Sequence, residues 1–359
     1  MRPIVHIGYH KTATTWFQRH VYPAATSHRF VPRAIVQQAL LDPPGTAFDR
    51  QAALDLLTAG DDGRPLLLCE ENLSGYLHNG GLHGFLAPAL AHRIKALFPD
   101  AHILIFVRSQ VAMAAACYTQ YVKGGGTHAL SRYLFPAAFL RGAYAQPFKV
   151  PRFAFDHLEY DRLIAYYDDL FGRGNVHVYP YEALADQQAL LRRMEKDLGL
   201  ELDQARVSFG RANVSWSGRM LPAARFLNHF TARTVEDKHY LLHLPGFYLV
   251  RGGALIALRR IFRDRGRTAV IGPALSGWIE RRFAASNARL RALRPDLLSP
   301  CPLPPDLYPA GADAAGEAAP RFEPERPPLR ALFAVKWTMI ALAAFLLLLG
   351  AATAIRWIA

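Results

Sequence analysis

The sequence predicts an α/β fold in which helices flank a parallel sheet. Four short apolar runs alternate with helical patterns, and such alternation is typical of right-handed crossovers between parallel strands. The predicted strands are Ile4–Gly8, Leu66–Cys69, His102–Val107 and residues 176–179. One predicted helix begins after Thr14, and four others cover residues 87–97, 111–123, 162–170 and 187–198. Residues 215–298 are mainly helical in pattern.

Polar groups follow each predicted strand. Lys11 follows the first strand, Glu70 and Glu71 follow the second, Arg108 follows the third and Glu182 follows the fourth. Ligands of parallel sheets bind beyond the carboxyl ends of the strands, where these groups come together. The sequence therefore predicts one active site at that edge of the sheet.

The turn after the first strand has the features of a P-loop-type phosphate site. The strand ends at Gly8, Lys11 comes three residues later, and threonines surround the predicted start of a helix. Backbone N–H groups and the positive helix end favour an anion there, and Lys11 adds a full charge. The second glycine of the ordinary ATP or GTP loop is missing, which argues against that class.

The chain has 359 residues, is 51% hydrophobic and carries a formal net charge of +13. This charge favours anionic partners such as acidic lipid or a phosphorylated cofactor. We expect no nucleic-acid partner, because no nucleic-acid-binding motif is visible. Cys69, Cys117 and Cys301 lack the spacing of metal ligands, so we expect no metal site and interpret Cys69 and Cys117 as buried thiols in a reducing compartment.

The C-terminal part is predicted to be a membrane anchor. Residues 300–330 are rich in proline and alanine, which is typical of a semi-extended linker. Residues 337–355 lack charge and would span about 28 Å as a helix, close to the thickness of a bilayer core. Four basic residues precede this helix and one follows it. We therefore expect residues 331–359 to be a transmembrane tail anchor and residues 1–299 to form an α/β domain facing the cytoplasm.

The loop after the first strand resembles the 5′-phosphosulfate loop of the PAPS-dependent sulfotransferases, particularly the bacterial and carbohydrate types. The resemblance lies in the order of lysine, threonines and tryptophan from Lys11 to Trp16. It implies that the loop binds the sulfuryl donor 3′-phosphoadenosine-5′-phosphosulfate (PAPS). The residues implied are His10, Lys11, Thr12, Ala13, Thr14, Thr15 and Trp16.

Residues 104–113 resemble the 3′-phosphate motif of the same family, which implies that Arg108 and Ser109 bind the nucleotide. Ala116 departs from the family pattern, which has serine there. A further segment resembles one that lies near the nucleotide in bacterial members, and it contributes Arg211, Asn213 and Ser215. Residues 179–184 and 283–290 also resemble the family, mainly in structural features.

The glutamates after the second strand resemble the catalytic base of many bacterial and carbohydrate sulfotransferases. By the register of the following Leu73-Ser74-Gly75 turn, Glu71 matches the base and Glu70 is the alternative. The resemblance implies metal-independent transfer of a sulfuryl group from PAPS to a hydroxyl or amine. Two other interpretations stay open: a nucleotide or small-molecule kinase, and an inactive membrane-tethered scaffold, to which Ala116 points.

The acceptor is not specified by these motifs. Residues 123–127 either flank the acceptor pocket or end a helix with flexible glycines. Residues 241–262 mix apolar side chains with arginines, which is typical of a helix packed on the domain or of a helix at a membrane interface. The expected anchor favours a glycolipid or lipid-linked sugar, while a soluble carbohydrate or small molecule remains an alternative.

Overall fold

The computed structural model of the chain describes residues 1–139, 152–210, 216–232, 238–261 and 270–295, with residue 297 and residues 337, 338, 340 and 341. Within these residues, five parallel strands form one sheet in the order β2-β3-β1-β4-β5. The strands are β1 Ile4–Gly8, β2 Arg29–Phe30, β3 Leu66–Cys69, β4 His102–Val107 and β5 Val176–Pro180.

Helices connect and flank these strands. In the described ranges they are α1 Thr14–Trp16, α2 Arg33–Leu40, α3 Arg50–Thr58, α4 Leu86–Leu97, α5 Gln110–Lys123, α6 Leu130–Leu134, α7 Tyr160–Phe171, α8 Gln187–Leu198, α9 Met220–Asn228, α10 Phe247–Ile261 and α11 Pro273–Leu293. A π-helix over Phe17–Val21 continues α1 directly.

The central strand β1 lies between β3 and β4 and is fully buried. Its register pairs Ile4 with Leu67 on one side and with His102 on the other. Since all three strands run in the same direction, the residues that follow Gly8, Cys69 and Val107 emerge at one edge of the sheet. The register therefore explains how three distant segments meet at one site.

The predicted α/β class with a parallel sheet is confirmed. Strands β1, β3 and β4 have the predicted bounds, and β5 ends one residue later than predicted. The pattern misses β2, because this strand has only two residues and begins with Arg29. Helix α8 covers the predicted residues, whereas α2 and α3 were not predicted.

The described residues divide into two compact units. The first holds the sheet and comprises those within Met1–Tyr118, Arg132–Ser215 and Val270–Ala319, and the second comprises those within Thr119–Ser131, Trp216–Ala269 and Pro320–Ala359. The predicted linker and nearly all of the predicted anchor lie outside the described residues. No helix in the described part is both long and apolar enough to cross a membrane. The predicted domain bounds and the anchor stay predictions.

Candidate active site

The loop after β1 forms a tight turn into a helix. The backbone is left-handed at Lys11 and at Ala13, with φ of 60° and 70°. The carbonyl of Ala13 accepts hydrogen bonds from the N–H groups of Trp16 and Phe17, which starts α1. The first N–H groups of a helix have no acceptor within it, so those at the start of α1 suit an anion. Non-glycine residues with positive φ are often found at ligand sites.

Two of the predicted donor-binding residues have side chains that stabilise the loop. Thr12 is fully buried, and its hydroxyl donates to the carbonyl of Tyr9. Trp16 is 2% exposed, and its indole N–H donates to the carbonyl of Ser208 at 3.0 Å. Thr14 is buried and Thr15 half-buried at the start of α1. The structure therefore gives Thr12 and Trp16 side-chain roles in holding the loop in shape.

Arg108 connects the end of β4 to the phosphate loop. Its guanidinium donates to the carbonyl of Lys11 at 3.0 Å and lies over the ring of Tyr181, 4.4 Å from the centroid. The hydroxyl of Tyr160 donates to the Arg108 carbonyl at 2.8 Å. The buried Nε–H of Arg108 has no acceptor among the described residues. A buried charged donor without an acceptor is expensive, so this position suits an anion.

The residues beside Arg108 join β4 to the turn after β5. The backbone N–H of Ser109 donates to the Glu182 carboxylate at 3.1 Å. Gln110, at the start of α5, donates to the side chain of Asn287 on α11 at 2.7 Å, and both are buried. Ala116 lies half-buried on α5. The resemblance noted for residues 179–184 and 283–290 thus corresponds to contacts that support the end of β4.

Glu70 is the centre of a buried hydrogen-bond network. It is fully buried and accepts from the guanidinium of Arg33 (2.6 and 3.1 Å), the side chain of Gln37 (2.7 Å), and the backbone and side-chain N–H groups of Asn72 (2.9 and 2.7 Å). Burial alone would raise the pKa of Glu70, but the bonds from Arg33, Asn72 and Gln37 outweigh it and lower the pKa. Five donors occupy a carboxylate that has about four lone-pair sites.

Glu71 is placed differently from its neighbour. Its Oε1 lies 3.2 Å from the guanidinium of Arg33, while its buried Oε2 has no hydrogen-bond donor among the described residues. Gly8 lies against it: a Cβ on residue 8 would be 3.2 Å from both the Cα and the carbonyl oxygen of Glu71. The end of β1, where the loop begins, therefore lies close against the backbone of Glu71.

The imidazole of His10 has a defined tautomer. The side-chain amide of Asn72 donates to Glu70, so its oxygen faces His10 and accepts from Nε2–H at 3.0 Å. Nδ1 then carries the lone pair, and it is buried with no donor among the described residues. Burial lowers the pKa of His10, although Asn72 and Glu71 act in the opposite direction. A neutral imidazole whose Nδ1 can accept a hydrogen bond thus lies beside the loop.

The sequence interpretation did not include two further imidazoles near the loop. Burial lowers the pKa of His78 to about 4, and the neighbouring His10 and Lys11 act in the same direction. Burial likewise lowers the pKa of His157 to about 3, and its ring lies 5.1 Å from that of Tyr9. Single histidines carry no motif, so the sequence offered no signal for this cluster.

Three predicted donor-binding residues, Arg211, Asn213 and Ser215, lie outside the described residues. In the part of the chain that is described, no group of three or more His, Cys, Asp or Glu side chains could hold a metal ion.

The structure brings the other predicted site residues to one sheet edge: the His10–Trp16 loop, Glu70, Glu71, Arg108 and Ser109.

No protein-family model and no curated protein matches the chain. Solved structures do match it. One is a sulfotransferase from Alicyclobacillus acidocaldarius, with 19% identity and a TM-score of 0.43, over 72% of this chain and 96% of that chain. Another is the mouse sulfotransferase SULT7A1 complexed with PAP, with 12% identity and a TM-score of 0.30, over 84% of this chain and 85% of that one. Sulfotransferases are therefore among the structures that this chain resembles.

Proposed function

We propose that this chain is a PAPS-dependent sulfotransferase that transfers a sulfuryl group to a hydroxyl or amine of a carbohydrate, lipid-linked or small-molecule acceptor. One observation carries the proposal: the Gly8–Lys11 loop contacts Glu71 on one side and Arg108 on the other. A cationic phosphate loop, an arginine at a strand end and a carboxylate with one oxygen that accepts no hydrogen bond from the described residues suit this transfer.

The site fits a nucleotide that carries two separate anionic groups. Lys11 and the N–H groups at the start of α1 suit a 5′-phosphosulfate. Arg108, held by Tyr181 and the Lys11 carbonyl, offers its buried Nε–H to a 3′-phosphate. The proposal assigns Arg211, Asn213 and Ser215 to the same nucleotide on the basis of sequence resemblance alone.

PAPS supplies an activated sulfuryl group on its 5′-phosphate. Glu71 takes the proton of the acceptor hydroxyl at Oε2 while the acceptor oxygen bonds to sulfur. Lys11 and the loop N–H groups neutralise the charge that develops on the 5′-phosphate oxygen as its bond to sulfur breaks. The products are the sulfated acceptor and PAP, and Glu71 returns its proton to solvent.

His10 is the second candidate for that proton. Its Nδ1 carries a lone pair because Asn72 fixes the tautomer, and its lowered pKa keeps the ring neutral near pH 7. Glu70 is the weaker candidate, since its oxygens already accept five hydrogen bonds.

For the acceptor, we propose a glycolipid or lipid-linked sugar. This proposal rests on the uncharged segment 337–355, which would anchor the chain in a bilayer with its site facing the cytoplasm. A linker of about 30 residues has a random-coil reach on the order of 30 Å, which keeps the site close to the membrane.

Calorimetry separates the proposal from its main alternative, a kinase with a similar loop. We expect PAP to bind and Mg-ATP to bind much more weakly; tight Mg²⁺-dependent ATP binding without affinity for PAP would contradict the proposal. Incubation with ³⁵S-labelled PAPS and a total lipid and glycan extract then tests turnover. Transfer of label to any acceptor rules out an inactive scaffold, and failure to bind the nucleotide would support one.

A further inference from the structure

Helix α10, in the second compact unit, exposes an apolar face. The exposed fractions are 77% for Leu249, 64% for Val250 and 60% for Ile256. Gly253 and Ala257 are also exposed and lie on the same face by helical periodicity. A helix of a soluble unit normally turns its apolar face inward, so this arrangement is the reverse of the usual one.

The opposite face of α10 fixes how the helix is rotated. Arg251 is 5% exposed, and its guanidinium donates to the side chain of Asn228 on α9 at 2.6 Å and to the carbonyl of Lys123 at 2.8 Å. Leu255, one turn later, is also buried. Turning the apolar face inward would break these hydrogen bonds of Arg251. The outward direction of Leu249 and Ile256 is therefore determined by the packing of the unit.

The part of the sequence that contains α10 is basic in composition. Residues 216–269 contain ten Lys and Arg residues but three Asp and Glu residues. Arg260, near the end of α10, is exposed. An exposed apolar helix face in a basic segment, with the exposed Arg260 at its end, matches the surface of an anionic bilayer, where apolar side chains enter the acyl boundary and guanidinium groups meet lipid phosphates.

We infer that the outward face of α10, made by Leu249, Val250, Gly253, Ile256 and Ala257, binds the surface of an anionic lipid bilayer. The face would place the second unit on the membrane independently of any anchor and of the reaction at the first unit. The two sequence interpretations of residues 241–262 then both apply, because one side of the helix packs inward and the other meets lipid.

The test places an environment-sensitive fluorophore on the full chain. NBD is attached to Ile256→Cys in a Cys301→Ser background, because Cys69 and Cys117 are buried. The protein is measured with vesicles of phosphatidylcholine, with and without phosphatidylglycerol, and with doxyl-labelled lipids. Ala52→Cys, an exposed position on α3, is the matched control.

We expect a blue shift of NBD emission at position 256 and quenching by doxyl lipid, both larger with phosphatidylglycerol, and neither at position 52. An unshifted spectrum at position 256 on anionic vesicles would overturn the inference. A blue shift without doxyl quenching would also overturn it, because another segment of the chain or a second copy would then cover the face. Leu249→Asp with Ile256→Asp should abolish vesicle contact of NBD at Val250→Cys, with circular dichroism as the folding control.

Discussion

Gly8 and Glu71 are in backbone contact: a Cβ on residue 8 would lie 3.2 Å from the Cα and the carbonyl oxygen of Glu71. Gly8 also has a φ of +104°, which side-chain-bearing residues rarely adopt. The last residue of β1 therefore determines how closely the segment after β3 approaches the phosphate loop. The position of the proposed base depends on the absence of a side chain in the neighbouring strand.

Gly8→Ala should displace Glu71. The rate of sulfuryl transfer should therefore fall by more than the loss of folding stability explains. The strained backbone costs about 1–3 kcal/mol, to which the contact with Glu71 adds. Gly84→Ala is the control, because φ is +90° there and a Cβ would meet nothing within 4 Å. Urea unfolding and transfer assays on both variants separate backbone strain from the contact. Equal loss of transfer in the two variants would contradict the positional role.

Lys11→Ala should lower kcat by roughly 10²–10³, as expected when a group that stabilises transition-state charge is removed. Arg108→Ala should instead raise the Kd for PAP by roughly tenfold to a hundredfold, since it removes a charged donor worth about 1.5–3 kcal/mol. Arg19→Ala removes an exposed charge from the π-helix that follows the loop, and it controls for net charge. Single-turnover kinetics measure the transfer rate of Lys11→Ala, and calorimetry measures the Kd of Arg108→Ala for PAP.

Glu71→Gln should lower kcat by about 10²–10⁴, the usual range for loss of a general base, and leave PAP binding intact. If activity survives in Glu71→Gln but is lost in His10→Gln, the imidazole takes the proton. Activity rescued by added imidazole in His10→Ala would show this directly. If both Gln variants stay active, neither group is the base.

Glu70→Gln should destabilise the fold by about 2 kcal/mol near pH 7, because a buried carboxylate that accepts charged hydrogen bonds is lost. The pKa of Glu70 is lowered in the folded protein, so its contribution is complete above the ordinary value of 4.5 and is lost as the pH falls through the folded pKa. The stability difference between wild type and variant should therefore shrink below pH 4.5. Urea unfolding at several pH values measures it, with exposed Asp100→Asn as the control.

Deletion of residues 331–359 tests the proposed link between anchor and acceptor. Transfer to a membrane-borne acceptor should fall sharply, because the site is no longer held near the bilayer, while transfer to a water-soluble analogue should persist. Equal sulfation of the native acceptor by the truncated chain in cells would contradict a lipid acceptor.

The strands were predictable from the sequence where the apolar run was long enough to be recognised. Strands β1, β3 and β4 were predicted to the residue, whereas β2 has two residues and no apolar run. The gathering of groups at the sheet edge was predictable for the same reason, because strand direction alone brings Lys11, Glu71 and Arg108 together.

The support of the site was not predictable. Arg33 and Gln37 lie one turn apart on α2 and both bind Glu70, more than thirty residues away in sequence. The spacing of four residues between Arg33 and Gln37 indicates that they share a helix face, but it does not indicate which residue they bind. These donors also distinguish the two glutamates, because they bind the carboxylate of Glu70 and leave Oε2 of Glu71 without a donor among the described residues. Sequence resemblance favoured Glu71 by register, and the hydrogen bonds provide a physical reason.

The strand order places two parts of the site on opposite sides of β1. Lys11 and Arg108 follow the adjacent strands β1 and β4, while Glu71 follows β3 on the other side of β1. Insertions or substitutions in the loop beyond Glu71 can therefore alter what approaches the carboxylate without shifting the register of β1 on β4. The proposed acceptor side of the site can thus diverge through changes in one loop, without any change in the strands that hold the proposed nucleotide side.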